Sequence, residues 1–378
     1  MKPLNLSRRD FTKLSALGLA AQFSPTLLAP PLLAQSPPPA TGRQVGYCII
    51  GLGRIAGHFM DGIQNSPGSK VTALVSGHPD KAERIAKQYG VPKTSIYNYE
   101  NMDAMRDNKT IDAVYVALPN SMHAEYTIRS AKAGKHVLCE KPMATSVADA
   151  KSMIDACNAA SVKLMIAYRC HYETTNLAAV KLIRDGAIGK LQTIQSAFGF
   201  NADPKEWRLQ KPLAGGGPLM DVGIYSLNAT RYLTGEEPEH FSAFTYSDPS
   251  DARFKTVEEN LSWVTKFPSG VVASCSTSYG TNMEGYFRAY GSKGWLEVNP
   301  AFGYQGLRLT AQYEDAAGKE VKLDQPNPEL DPIHFQKEAS HFSECIQLNR
   351  TPKTPGEEGL RDMQYIQQIY KSAGIIMS

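Results

Sequence analysis

The sequence lacks three features that would narrow its class at once: an excess of charge, a long apolar run and closely paired cysteines. Forty Lys and Arg residues stand against 37 Asp and Glu residues, which gives a formal net charge of +3 over 378 residues. The basic residues are scattered rather than clustered, so no nucleic-acid partner is predicted. No apolar stretch is long and uninterrupted enough to span a bilayer, so no membrane partner is predicted either.

The six cysteines do not form a metal-binding or disulfide pattern. No pair has the CxxC spacing of zinc and redox sites, and several lie in apolar, strand-like segments. Buried thiols are therefore predicted in preference to disulfides, and no metal site is predicted. The positions are Cys48, Cys139, Cys157, Cys170, Cys275 and Cys345.

The amino terminus differs in kind from the rest of the chain. Paired arginines precede a mildly apolar segment that reaches a small residue at Ala34. This pattern is typical of a twin-arginine export signal, and an amphipathic helix or a disordered tail is the alternative. We predict a signal peptide at residues 1–34, a Pro-rich arm at residues 35–44, and a periplasmic protein exported already folded. The residues that match the signal are Ser7, Arg8, Arg9, Phe11 and Lys13.

From Val45, short apolar segments alternate with segments of helical periodicity. Buried parallel strands are predicted at VGYCII, VTALV, DAVYVAL and HVLC. Helices are predicted between them at RIAGHFMDGIQ, PDKAERIAKQY and MHAEYTIRSAKAG. This alternation predicts a doubly wound sheet, that is, a Rossmann dinucleotide-binding domain over residues 45–165.

A different rhythm marks residues 166–378, where short alternating strands with Gly, Pro or Asn in their turns predict an open, mostly antiparallel sheet. The predicted fold class is therefore α/β, with a Rossmann domain followed by a second α/β domain for substrate and assembly. Its two terminal helices could pack back on the first domain. The predicted segments are helices at about 174–185, 218–233, 334–348 and 356–374, and strands from about 240 to 325.

The segment GLGRIA directly follows the first strand and opens the first helix. Gly51 would allow the tight turn, and Gly53 would let a pyrophosphate approach the backbone amides of the helix. An ordinary strand-to-helix turn is the alternative, but the strand before and the helix after favour a dinucleotide site. The predicted cofactor-binding residues of this turn are Gly51, Leu52, Gly53, Arg54 and Ile55.

The end of the second strand indicates which dinucleotide is bound. NAD sites usually carry Asp or Glu there for the ribose hydroxyl, whereas this chain has Ser76 and Gly77. A hydroxyl, backbone amides and Lys81 would accept a 2′-phosphate that a carboxylate would repel, and Arg54 could add a second cation. NADP is therefore predicted over NAD, although Lys81 on its own would be interpreted as part of a solvated helix face.

Polar residues follow two neighbouring strands where each strand ends. Lys141 follows the strand HVLC, and Asn120 and His123 lie in LPNSMH after the preceding strand. Ligands bind beyond the carboxyl ends of such strands, so Lys141 is expected beside the nicotinamide, where it could hydrogen-bond a reacting hydroxyl. Pro142 restricts Lys141 to extended geometry and could follow a cis bond. The cofactor-binding residues predicted here are Leu118, Pro119, Asn120, His123, Glu140 and Lys141.

A second cluster lies in the other predicted domain. Three glycines and Pro218 precede a helix on which Asp221 and Tyr225 stand four residues apart, so both project from one face. Near an ammonium group and a nicotinamide, such a phenol can serve as general acid and base. The alternative is a tyrosine packed in the core and an aspartate favoured by the helix dipole.

These motifs together resemble a known family. GLGRIA, LPNSMH, CEKP and an Asp-x-x-x-Tyr pair after a glycine run are similar to the Gfo/Idh/MocA oxidoreductases. YRCHYE, LAGGGPLMDVGIY and TPGEEG resemble its glucose–fructose oxidoreductase branch, and the resemblance covers nearly all of the chain from about Val45. It implies NADP, catalysis by Lys141, Asp221 and Tyr225, and an open sheet that joins subunits of a homo-oligomer, either a dimer or a tetramer.

The resemblance also implies further contacts and one departure. Many relatives have histidine where this chain has Tyr225, and the tyrosine fits the sugar branch. The branch has a long arm over the cofactor, whereas about ten residues precede the first strand here, so a less firmly held cofactor is predicted. By resemblance, the cofactor contacts are Arg169, Trp207 and Arg208, and the substrate contacts are Lys141, Tyr172, Asp221 and Tyr225.

The expected activity is that of a periplasmic, NADP-dependent sugar oxidoreductase. It would oxidise an aldose at C1 to its lactone and reduce a second sugar, ketose or aldose, with the same cofactor. The alternatives are an NADP-dependent aldose 1-dehydrogenase that releases its cofactor, an NAD-dependent glycoside hydrolase of the same family, and a non-catalytic binding protein.

Overall fold

The computed structural model describes residues 42–377. The predicted signal segment 1–34, and the predicted arm apart from its last three residues, lie outside the described residues. Within the described range, no helix combines the length and the apolar character that crossing a membrane requires. All six cysteines are buried free thiols.

The first part of the described chain forms a six-stranded parallel sheet with helices on its faces. Its strands are β1 (Val45–Ile50), β2 (Ser69–Val75), β3 (Ile96–Tyr97), β4 (Ala113–Val116), β5 (His136–Glu140) and β6 (Leu164–Ala167). Its helices are α1 (Arg54–Gln64), α2 (Pro79–Tyr89), α3 (His123–Lys132) and α4 (Val147–Ala159). The strand order is β3-β2-β1-β4-β5-β6. Every residue of β1 and β4 is buried, as expected of parallel strands covered on both faces.

The second part forms an eight-stranded sheet. Its strands are β7 (Leu191–Gly199), β8 (His240–Tyr246), β9 (Asn260–Lys266), β10 (Val272–Ser278), β11 (Met283–Gly291), β12 (Gly294–Val298), β13 (Arg308–Glu314) and β14 (Glu320–Pro326). Its helices are α5 (Thr174–Arg184), α6 (Lys211–Ala214) and α7 (Ile224–Thr234). The order is β14-β13-β12-β11-β7-β10-β9-β8, and all neighbours are antiparallel except β7 and β10. The predicted α/β fold class is confirmed.

One face of the eight-stranded sheet is covered by helices, and the other face is exposed. On one face, Ala179 and Ile183 of α5 and Leu233 of α7 pack against Phe287 of β11. On the other face, apolar side chains remain exposed, among them Phe244 at 78% and Tyr246 at 63%. Strand register places Phe244 beside Ser262 and Ser242 beside Val264, so this exposed face continues from β8 to β9.

The last two helices, α8 (Ile333–Gln347) and α9 (Gly356–Ser372), pack on the first domain. Phe335 and Phe342 of α8 join Phe59 of α1 in one core cluster. The approach is close enough that a Cβ on Gly62 would lie 2.9 Å from that of Phe335. Helix α9 contributes Met363 and Ile366, among others, to the cluster that contains Met153 of α4. The carboxyl end of the chain therefore completes the core of the amino-terminal domain.

Candidate active site

The glycine turn between β1 and α1 has the shape that a pyrophosphate requires. Gly51 adopts a φ of +88°, and a Cβ there would lie 2.5 Å from the carbonyl oxygen of Ala117, so only glycine fits. A Cβ on Gly53 would meet no atom within 4 Å. Helix α1 begins next to it without a side-chain cap and without an acidic residue in its first turn. Its first amide groups are therefore available to an anion.

The turn after β2 carries no carboxylate. Ser76 is buried, and its hydroxyl accepts a hydrogen bond from the amide of His78 at 3.1 Å. Gly77 faces the ring of Tyr99, which a Cβ would approach to 3.1 Å. Lys81 is half-buried in the first turn of α2. Because the Ser76 hydroxyl is used within the turn, backbone amides and Lys81 remain as the groups that suit a 2′-phosphate.

Lys141 lies at the carboxyl end of β5, where it reaches across to the second domain. Its peptide bond to Pro142 is cis. Its Nζ donates to the backbone carbonyl of Asp221 at 2.7 Å and to Oδ1 of the same residue at 3.2 Å. Nζ also lies 4.6 Å from the centre of the Tyr225 ring. The structure therefore brings the three predicted catalytic residues together.

Asp221 is the centre of an ion-pair network. Besides Lys141, Nε of Arg208 lies 2.9 Å from its Oδ2, and the hydroxyl of Tyr279 donates to the same oxygen at 2.9 Å. Burial alone would raise the pKa of Asp221, but Lys141 and Arg208, helped by Tyr279, lower it to about 2. The carboxylate is therefore ionised over the whole physiological range.

Lys141 is held as a cation. Burial alone would lower the pKa of Lys141, but the surrounding oxygens of Tyr225, Asp221 and Glu140 raise it above its ordinary value. An ammonium group that stays protonated cannot act as a base. Its chemistry is to donate hydrogen bonds and to stabilise negative charge on a neighbouring oxygen.

The helix that carries Asp221 and Tyr225 is irregular. The sequence predicts one α-helix over this segment, but Leu219–Gly223 form a π-helical turn before α7 begins. Wider turns of this kind often occur at functional sites. The buried carboxylate of Glu258 accepts the amides of Gly217 at 2.8 Å and Leu219 at 3.3 Å, and so caps the start of the segment.

Tyr225 lies between aromatic rings and a buried arginine. The guanidinium carbon of Arg169 is 5.3 Å from the Tyr225 ring centre and 4.6 Å from that of Tyr304. Carbonyl oxygens of Phe302 and Gly303 hold Arg169 in place. Arg169, predicted as a cofactor contact, thus provides a fixed positive charge beside the tyrosine.

Three predicted cofactor contacts use their side chains inside the protein instead. The ring nitrogens of His123 lie 2.8 Å from the carbonyl oxygen of Pro142 and 2.9 Å from that of Leu118. Asn120 donates to the carbonyl of Ala214 at 2.9 Å, and Glu140 accepts a hydrogen bond from Tyr115. These side chains position the loops around Lys141, and their contact with the cofactor stays a prediction.

Tyr172 is the predicted substrate contact that the structure does not bring into the cluster. It is buried in the core of the first domain. Its hydroxyl lies 3.4 Å from that of Thr354 and 3.8 Å from the sulfur of Met165. Its polar end points into packed structure, and the sugar contact predicted for Tyr172 stays a prediction.

Residues 206–208 border the cluster on the side of the glycine turn. Arg208 lies over the ring of Trp207, with 4.7 Å between guanidinium carbon and ring centre. Glu206 pairs with Arg208 and also with Arg54 in the glycine turn, each at 3.0 Å. Sequence reasoning missed Glu206, Tyr279 and Tyr304, because no motif links them to the site and they meet their partners Arg208, Asp221 and Arg169 only in the folded chain.

One group of carboxylates and histidine resembles a metal site. Glu173, Glu329 and His334 each place one potential ligand atom within 4.8 Å of the others. However, Glu173 accepts the amide of Asn176 at 2.6 Å, and Glu329 pairs with Lys337 at 2.5 Å. Since both carboxylates are engaged by the chain's own donors, we assign this group a structural role at the start of α5.

Comparison with known proteins agrees with this geometry. The family model described as "Oxidoreductase family, NAD-binding Rossmann fold" of the GFO/IDH/MocA group matches residues 45–168. The model of the GFO/IDH/MocA C-terminal domain matches residues 176–297. The two matches cover the glycine turn, Lys141, Asp221 and Tyr225.

Individual relatives match over most of their length. The crystal structure of aldose-aldose oxidoreductase from Caulobacter crescentus, complexed with glycerol, is 46% identical, with a TM-score of 0.83, and the match covers 88% of this chain and 98% of that one. D-xylose 1-dehydrogenase [NADP(+)] from Haloarcula marismortui is 28% identical, over 88% of this chain and 92% of the relative. 1,5-anhydro-D-fructose reductase from Ensifer adhaerens is 27% identical, over 86% and 95% respectively. With a nucleotide turn, a Lys141–Asp221–Tyr225 cluster and both family domains in place, the chain is an NAD(P)-binding oxidoreductase of the Gfo/Idh/MocA family.

Proposed function

We propose that this protein is a periplasmic, NADP-dependent sugar oxidoreductase that passes a hydride from one sugar to another. The observation that carries the proposal is the Lys141–Asp221–Tyr225 cluster at the carboxyl end of β5, where a dinucleotide on the glycine turn would present its nicotinamide. The 46% identity to an aldose-aldose oxidoreductase supports a sugar as the substrate class.

NADP is proposed as the cofactor because the turn at the end of β2 has no acidic side chain that could bind the ribose hydroxyls. Ser76, Gly77 and Lys81 instead offer amides and a cation to a 2′-phosphate. The relative from Haloarcula marismortui is itself named as an NADP(+) enzyme.

Tyr225, Lys141 and Asp221 have different roles in the proposed reaction. Tyr225 takes the proton of the anomeric hydroxyl during oxidation and returns it to a carbonyl during reduction. Lys141, a permanent cation, donates a hydrogen bond to the reacting oxygen and stabilises the phenolate. Asp221 fixes Lys141 and is placed to accept a sugar hydroxyl. Bound nicotinamide supplies the hydride acceptor and donor.

Recycling in place would explain an exported enzyme that depends on NADP. Oxidation of one aldose at C1 to a lactone leaves the hydride and the proton in the site, and reduction of a second sugar removes both. The predicted twin-arginine signal indicates the periplasm. With recycling in place, the enzyme needs no external supply of reduced cofactor there.

The test is to incubate the purified protein with two aldoses and a trace of NADP, far less than either sugar. The proposal predicts equal amounts of lactone-derived acid and sugar alcohol, without net NADPH absorbance. A simple aldose dehydrogenase would convert the trace of NADP to NADPH and then stop. A glycoside hydrolase would release free sugar from a glycoside, and a binding protein would show no turnover.

We also propose a homo-oligomer formed through the open face of the eight-stranded sheet. That face exposes Phe244, Tyr246, Val264 and Val272 in neighbouring strands. Several exposed apolar side chains on one face of a folded protein are typical of an interface.

A further inference from the structure

Glu206 connects the glycine turn to the catalytic cluster. Its Oε1 lies 3.0 Å from Nη2 of Arg54, and its Oε2 lies 3.0 Å from Nη1 of Arg208. Arg208 in turn places Nε 2.9 Å from Oδ2 of Asp221. A chain of alternating charges therefore runs from the first residue of α1, across the cleft between the domains, to the residue that holds Lys141.

The members of this chain differ in exposure. The Arg54 side chain is 83% exposed, whereas that of Glu206 is only 22% exposed. Glu206 is anchored within its own segment by Arg208, whereas most of the Arg54 side chain lies in solvent. Both carboxylate oxygens are occupied, each by a different arginine.

Arg54 places the ion pair with Glu206 next to the predicted pyrophosphate site. Arg54 directly follows Gly53, the glycine with open space around its Cα, and a pyrophosphate would bind to the amides at this place. While Arg54 and Glu206 are paired, the catalytic domain is tied to the nucleotide domain within one residue of those amides.

We propose that Glu206 is a positioning residue that keeps the cleft closed at the glycine turn and so retains NADP between the two half-reactions. The inference rests on the proposed two-sugar function and deepens it. The predicted arm is short, so retention has to come from contacts such as this one within the folded domains.

The expected effect on nucleotide release follows from the exposure of the Arg54–Glu206 ion pair. Partly exposed ion pairs are weak and are screened by salt. Removing the pair should therefore speed nucleotide release about two- to fivefold, and should also remove part of the salt dependence of release.

The test measures release directly rather than activity. Full-length protein is loaded with NADPH and mixed with excess NADP, and the fall in NADPH fluorescence is followed at low and high salt. The variant is Glu206→Gln. Glu125→Gln is the matched control, since it removes the same charge from an exposed pair with Arg129 on α3. Arg54→Gln and the double variant complete a cycle.

We expect Glu206→Gln to release NADPH faster than the wild type and with a weaker salt dependence. Glu125→Gln should behave like the wild type. In the Arg54→Gln background, Glu206→Gln should have no further effect on release. Unchanged release would overturn the proposal, as would a lower unfolding temperature without faster release. Equal acceleration with and without Arg54 would also overturn it, because Glu206 would then act alone. Failure of the two-sugar assay in the wild type would instead contradict the proposed function, and the release rates would stand independently of it.

Discussion

The side-chain nitrogen of Lys141 is held by the main chain as well as by the side chain of Asp221, at 2.7 Å from the carbonyl oxygen and 3.2 Å from Oδ1. Replacing the Asp221 carboxylate therefore removes a charge but leaves one anchor for Lys141. The charge of the site and the position of its lysine can thus be separated by mutation.

Tyr225→Phe and Lys141→Ala should each abolish most turnover while the protein remains folded. Loss of a positioned acid–base group typically costs about 10²–10⁴-fold in rate. Steady-state kinetics with an aldose, together with circular dichroism, would measure this. Tyr89→Phe is the control, because it removes a hydrogen-bonded phenol oxygen outside the catalytic cluster, where Tyr89 donates to Asp61. Activity within a few-fold of wild type would remove the residue concerned from the mechanism.

Asp221 should make stability depend on pH in the acid range. Its pKa is about 2 in the folded protein against an ordinary 3.8, so its contribution is present above about pH 4 and is lost as the pH falls towards about 2. The wild type should lose about 2 kcal/mol over this window that Asp221→Asn does not lose. Urea unfolding at a series of pH values measures the difference. Asp185→Asn, at an exposed pair with Lys181, should follow the wild type, and parallel curves for wild type and Asp221→Asn would contradict the assignment.

Ser76→Asp should weaken NADP binding far more than NAD binding. A carboxylate at the end of β2 would repel a 2′-phosphate and suit two ribose hydroxyls, so a selective loss of about tenfold or more is expected. Fluorescence titration with NADPH and NADH provides the comparison. Ser152→Asp, on the exposed side of α4, controls for the added charge. Equal losses for both nucleotides, or a wild type that prefers NADH, would show that this turn does not select NADP.

Phe244→Glu should shift the assembly towards smaller species. A charge that replaces an apolar side chain at a subunit contact leaves a carboxylate desolvated and unpaired, which should weaken association about tenfold or more. Sedimentation equilibrium would measure this. Leu330→Glu is the control, since Leu330 is 68% exposed outside the sheet. If both variants keep the wild-type mass, the open face is not the interface.

The glycine turn and Lys141 were predictable because their roles depend on backbone shape and on the ends of strands. Gly51 requires a positive φ, and a proline after Lys141 restricts the chain locally. Tyr279 and Glu206 carry no such local signal. Tyr279 reaches Asp221, and Glu206 reaches Arg54, only because the end of β10 and the segment before α6 fold beside the catalytic cluster and the glycine turn.

Strand β7 was not predicted, although it lies in the middle of the second sheet. Its segment LQTIQSAFG alternates polar residues with few large apolar ones, so the period is weak. Ser196 is buried there and bonds to the hydroxyl of Ser226 at 2.8 Å. The strand is stabilised by pairing with β10 and β11. Because these partners are distant in the chain, the local sequence does not reveal the strand. The same limit applies to Tyr172, whose place in the core depends on partners distant in the chain.

The packing of α8 against α1 has a consequence for biosynthesis. The apolar side of α1 around Phe59 is covered by Phe335 and Phe342, and in the edge strand β6 the amide of Ile166 donates to the carbonyl of Thr354 at 2.8 Å. These residues follow all the strands of the second sheet in the chain. The nucleotide domain therefore stays open on one side until the second domain has also been synthesised.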